Sequence, residues 1–209
     1  MLDFLSGVIA ILIAVTVHEY AHAWMANKLG DPTARIFGRL TLNPLKHFDL
    51  FGTLSLIFLG IGWGKPVPYN EANLRFPKRD AALIALAGPL SNLLTALVCA
   101  IPLKYLSDTV FRTMSLYGLV GQLFWLSILL MCLNILPLPP FDGSKIIGIF
   151  VPYRYHQAYQ NYLHEGVKYV ILFVLFDSLV LREVFGFSIL QFVVSKMAML
   201  VMALISLGT

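Results

Sequence analysis

The chain has 209 residues, 58% of them hydrophobic and only 12% charged, with a net charge of +4 and a mean hydropathy of +0.79. That balance excludes an ordinary soluble domain, and it directs the positive charge to an anionic membrane surface before any nucleic acid. The expected fold class is an all-α polytopic membrane protein of about five to six transmembrane helices.

In chain order, the first apolar run covers about 4–26. It has the length a bilayer requires, roughly 20 apolar residues. It lacks a basic leader and runs into a segment holding two histidines, so a retained span is expected rather than a cleaved signal. Residues 33–43 (TARIFGRLTLN) alternate in part, with Ile36, Leu40 and Leu42 against Arg35, Arg39 and Thr41. This predicts a short strand. The run 50–62 has 13 residues, too few for a full span and suited to a re-entrant segment. Residues 63–70, with Pro66 and Pro68, are expected to be extended and to form a small membrane-associated β-sheet with 33–43. An edge of that sheet would hold an unwound substrate by strand addition.

Further spans are expected at 81–103, 115–137, 166–182 and 185–207, the last two interrupted by Asp177, Arg182, Glu183 and Lys196. Residues 152–165 read as an interfacial stretch with Tyr153 and Tyr159 as anchors. Cys99 and Cys132 lie inside apolar runs and read as small apolar side chains.

Charge placement orients the chain. If 50–62 does not cross, Lys28, Arg35, Arg39, Lys46, Lys65, Arg75, Lys78 and Arg79 share one side, and Lys145, Arg154 and Lys168 return to it. Lys104, Arg112 and Arg182 lie opposite. By the positive-inside rule the first group faces the cytoplasm, and the plasma membrane is the expected location.

The chemistry sits at the end of the first run. His18, Glu19 and His22 form H-E-x-x-H. On a helix, residues i and i+4 share a face, so both imidazoles reach one metal ion. Glu19, about 100° round the helix, reaches a water at the open position and acts as general base. Ionisable residues at membrane depth are costly and usually functional, which favours a metal site over a hydrogen-bonded structural pair. A catalytic zinc site needs a third protein ligand, and topology selects Asp142. The 115–137 helix returns to the basic face and is stopped by Pro137, Pro139 and Pro140, which delivers Asp142 to the depth of the histidines. The competing role for Asp142 is a helix N-cap. His47 reads as a surface or interfacial residue, and His156 and His164 as part of the interfacial stretch.

HEYAH at 18–22, GPLSN at 88–92 and NILPLPPFDG at 134–143 together resemble the site-2 protease family of intramembrane zinc metalloproteases. GRLTLNPLKHFDLFGT (38–53) and GWGKPVPYN (62–70) resemble its compact prokaryotic branch. The resemblance implies Zn²⁺ held by His18, His22 and Asp142, Glu19 as catalytic base, and a core of the helices at 4–26, 81–103 and 115–137. It also suggests that Asn134, and with less weight Asn92, contacts substrate or supports the site. An Asn134 carboxamide that bonds the developing oxyanion is weighed equally against a helix–helix hydrogen bond.

The expected organisation is a metalloprotease core over 1–150 and an interfacial segment with C-terminal helices over 151–209, without inserted or appended domains. The expected function is hydrolysis of peptide bonds within or near the transmembrane segments of membrane-protein substrates. The rival readings are a metal-ion transporter, which needs further ligands along a path, and an inactive binding module, which would have lost Glu19 or a ligand.

Overall fold

The computed structural model describes residues 2–49, 64–105 and 116–208. Its α-helices are α1 (Leu2–Lys28), α2 (Thr33–Ile36), α3 (Pro77–Tyr105), α4 (Leu116–Ile135), α5 (Gly143–Ile146), α6 (His156–Phe176), α7 (Arg182–Phe185) and α8 (Ile189–Gly208). Helices α1, α3 and α4 pack pairwise against one another. Small side chains allow this close approach: Ala10, Ala14, Ala23 and Ala26 on α1 and Ala85, Ala87, Gly88 and Ala96 on α3 are all buried. Between apolar helices in lipid, such van der Waals contact takes the place of the hydrophobic drive. Helix α8 closes one flank, with Ala198 and Ile205 against Ala96, Ala100, Ile128, Met131 and Cys132.

The three core helices are long and apolar enough to cross a membrane, over Phe4–Lys28, Pro77–Tyr105 and Leu116–Ile135. The expectation of five to six spans is corrected for the described residues to three, or four if one bent pair counts as a span. That pair is Tyr153–Phe185 with Ile189–Ile205, bent by 94°. The polar stretch is helical from its 3-10 turn at Tyr153–Tyr155 onward, and from His156 it is continuous with 166–176. A π-turn at Asp177–Leu181 follows, and Gly186, at φ +67°, ends α7. Asp177, fully buried, then accepts Ser188 Oγ at 2.5 Å and the Ile189 backbone N–H at 2.7 Å. The acid that interrupts the apolar pattern caps α8 across the bend.

The small β-sheet is not found. Among the described residues there is one isolated antiparallel bridge, Phe48 to Gly64, and no strand. Within 33–43, helix-start and helix-stop signals override the alternation. Asp31 Oδ1 accepts the Thr33 backbone N–H at 3.1 Å, which opens α2 just after Pro32. Gly38, at φ +65°, stops it: its N–H donates to Arg35 O at 3.0 Å, and Arg39 N–H donates to Ala34 O at 2.8 Å. This is the Schellman pairing, with glycine at the left-handed position. The expected re-entrant run 50–62 lies outside the described residues.

Asp31 also ties the end of α1 to the chain entering α3. Its carboxylate is fully buried and accepts Thr33 Oγ1 at 2.5 Å, Asn73 Nδ2 at 2.8 Å and Asn70 N–H at 2.7 Å. Burial pushes its carboxyl upward, yet these bonds outweigh that and hold it below the usual carboxylate range.

Candidate active site

His18 and His22 lie one turn apart on α1, on the face turned to α3. Gly88 of α3 passes directly over them. A Cβ on Gly88 would sit 2.4 Å from His22 Nε2 and 2.6 Å from His18 Cε1, so no other residue fits without displacing the rings. One turn earlier on α3, Ile84 O accepts the His22 Nδ1 proton at 2.7 Å. That bond fixes the tautomer and leaves a lone pair on His22 Nε2.

Asp142 arrives from the far end of α4. The helix stops at Ile135, before Pro137, Pro139 and Pro140. Gly143 lets the chain fold back: a Cβ there would lie 2.2 Å from Ile135 O and 2.3 Å from Leu136 O. Asp142 stands at the N-cap position of α5 but makes no side-chain cap. Its Oδ2 lies instead 3.2 Å from His18 Nε2 and 3.1 Å from His22 Nε2, and those two nitrogens are 3.0 Å apart. All three residues are buried, each at most 8% exposed.

This donor set fits a metal ion. Two imidazole nitrogens and a carboxylate oxygen converge within about 3 Å, and mutual repulsion of their lone pairs calls for a cation between them. Nitrogen and oxygen ligands at this spacing suit zinc, which takes them at about 2.0–2.2 Å. Among the described residues it is the one such cluster of His, Cys, Asp and Glu. Cys99 and Cys132 are free thiols buried in the helix packing. Asp177, the other acid at membrane depth that a transport path could use, is committed to its cap.

Glu19 has a buried oxygen, Oε2, that no group in the structure bonds. Its other oxygen faces Gly64, whose Cβ position lies 3.9 Å from Oε1. The segment around Gly64 is held by two residues that were not singled out as structural. Arg39, 4% exposed, donates from Nη2 to Lys65 O and, at 3.3 Å, to Pro66 O. His47 is fully buried, which corrects its reading as a surface or interfacial residue. Its Nε2–H donates to Thr41 O at 2.8 Å, and its carbonyl accepts Lys65 N–H at 2.9 Å. No local sequence signal marked either, because their partners are backbone carbonyls, some of them more than twenty residues away.

Two tyrosines of α6 grip the Asp142 loop from behind. Tyr162 Oη donates to Pro137 O, and Tyr159 Oη donates to Ser144 O at 3.0 Å. Asn134 is half-buried and spends an amide N–H on Leu130 O of its own helix at 3.0 Å. Asn92 is fully buried with neither amide atom bonded. His156 stacks on Tyr153 at 5.8 Å, and His164 is exposed.

Gly88→Ala is expected to cut zinc content at least tenfold. An added methyl group meets both rings at about two thirds of the distance of van der Waals contact and has to push the imidazoles apart. Metal analysis of the purified variant, with far-ultraviolet circular dichroism to verify the helices, tests this. A folded variant with full zinc would show that α3 does not set the site.

Residues 6–119 match the family model of peptidase family M50. The chain is 40% identical over 150 residues to "Putative zinc metalloprotease YwhC" of Bacillus subtilis, covering 69% of this chain and 68% of that protein. It is 30% identical over 137 residues to "Putative zinc metalloprotease Rip2" of Mycolicibacterium smegmatis, covering 63% of this chain and 52% of the relative. It is 33% identical over 107 residues to "Regulator of sigma E protease" of Haemophilus influenzae, covering 44% and 24%. The chain thus spans about two thirds of the first relative and about half of the second. No solved structure matches it.

Proposed function

The chain belongs to peptidase family M50, and from that premise we propose which residues carry out the zinc-dependent intramembrane proteolysis that the family performs. His18, His22 and Asp142 hold the zinc. The observation that carries this is the convergence of their three ligand atoms in a buried site, with the His22 tautomer fixed by Ile84 O. When bound, the zinc supplies Lewis acidity, polarising the scissile carbonyl and making a water acidic near neutral pH.

Glu19 is the general base. It would take the proton of the attacking water and return it to the leaving amine. Its unbonded, buried oxygen leaves the carboxylate free for this role. Arg39 and His47 act indirectly, by fixing the segment that lies against Glu19. Asn134 is assigned to oxyanion or substrate contact, through the amide N–H that Leu130 O does not take.

The substrate class is membrane-spanning proteins. Residues 1–150 form the catalytic core, and 151–209 form the interfacial segment and C-terminal helices. The site opens toward the cytoplasmic face of the plasma membrane, on the side of the eleven basic residues in 27–80 and 141–168. Thiol reagents that do not cross membranes should label Lys46→Cys and Lys78→Cys from the cytoplasmic side in a chain lacking Cys99 and Cys132. Labelling of the two from opposite sides would undo this orientation.

Incubation of the purified protein with single-span test proteins, with and without a zinc chelator, tests the function. Chelator-sensitive cleavage near the span is expected. Cleavage that survives complete zinc removal would refute it.

A further inference from the structure

Cations and aromatic rings cluster where α3 begins. Phe76, 47% exposed, is flanked by two guanidinium groups, with Arg79 Cζ 4.3 Å and Arg75 Cζ 5.3 Å from its ring centre. Lys78 Nζ lies 5.5 Å from the ring of Tyr153, which stacks on His156. Between them opens a crevice of about 540 Å³, lined by Phe76, Lys78, Arg79, Ile149, Tyr153 and His156, with Glu71 as the one acid.

We propose that this crevice binds the headgroup phosphate of an anionic phospholipid. It lies at the first turn of a helix that spans the membrane, so its depth is that of the lipid headgroups. The proposal rests on α3 as a span and on the cytoplasmic orientation proposed above, not on the protease chemistry.

Three features favour a lipid over a free anion. The lining is mostly apolar by area, with the cations at its edge. That apolar surface is exposed, with Tyr153 at 83% and Ile149 at 41%, and the neighbouring Phe150 at 82%. A small ion has no use for such surface, whereas the glycerol and upper acyl carbons of a phospholipid cover it. The cations are also placed in advance. Asp80, fully buried, fixes Arg79 through bonds of 2.9 Å to Nε and 2.8 Å to Nη2, while the Arg79 side chain stays 53% exposed. Lys78 is steered by a 2.8 Å bond to Val151 O. A phosphate between them meets Lys78 and Arg79 with little further ordering, and clustered lysine and arginine at a cytoplasmic membrane surface selects anionic lipid.

The test uses the full chain in nanodiscs of equal phosphatidylglycerol and phosphatidylcholine, released and weighed by native mass spectrometry. Retained phosphatidylglycerol should exceed phosphatidylcholine at least fivefold. The double variant Lys78→Glu, Arg79→Glu should bring that ratio near one while keeping its zinc, whereas Lys104→Glu, at the other end of α3, should leave it unchanged. If the double charge reversal does not fold, Lys78→Gln, Arg79→Gln takes its place, with a threefold fall expected. Equal retention of the two lipids by the wild type would overturn the proposal, as would an unchanged ratio in the folded variants. Displacement of the lipid by millimolar inorganic phosphate or glycerol phosphate would also overturn it, since the site would then take a soluble anion.

Discussion

Glu19→Gln should abolish peptide hydrolysis and leave the zinc in place. Glutamine keeps the shape and the hydrogen-bonding reach of the side chain but cannot take a proton. A positioned general base contributes about 10²–10⁴ in rate, so turnover on a single-span substrate should fall at least about a hundredfold. Zinc content should stay near the wild-type value, because the ligand atoms belong to His18, His22 and Asp142. Metal analysis and a cleavage assay on the same preparation decide the matter. Wild-type turnover would remove Glu19 as the base, and loss of zinc would make it a ligand or a support of one.

Asp142→Ala should strip the metal. Removal of a first-coordination ligand costs more than loss of an outer partner, which typically costs 10–100-fold in affinity, so a fall of about 100-fold or more is expected. The substitution reads the ligand role cleanly. Asp142 makes no side-chain cap to α5, so its loss leaves the turn intact, and Gly143 and the two tyrosines still hold the loop. His18→Ala and His22→Ala should match it. Full zinc and full activity in a folded Asp142→Ala protein would send the search for a third ligand elsewhere.

The site was legible in the sequence where chemistry and helix geometry coincide. The i, i+4 histidines needed only the α-helical period, and Asp142 needed only a helix stopped by prolines on the correct side. The structure brings the three together. The fold was less legible wherever short-range signals compete. In TARIFGRL the alternation of Ile36 and Leu40 suggests a strand, but the Asp31 bond to Thr33 and the left-handed Gly38 make a helical turn. Capping fixes backbone hydrogen bonds directly, whereas alternation acts only if a partner strand is present. In the C-terminal third, apolar content was read as two separate spans. What decides there is one carboxylate, Asp177, pairing with residues eleven and twelve positions later. Arg39 was read as the polar side of a strand, and His47 as a surface or interfacial residue. Their burial depends on contacts with Lys65 and Pro66 that no periodicity encodes.

Asn92 gives up all contact with water in the resting protein and gains no hydrogen bond in exchange. A carboxamide in that condition lies above its hydrated reference by the desolvation cost of its polar atoms, about 1–3 kcal/mol by mutational measures. It therefore has no hydration shell to shed when something reaches it. One turn along α3 from Gly88, Asn92 thus stands as a carboxamide that any partner able to fill both its donor and its acceptor would stabilise.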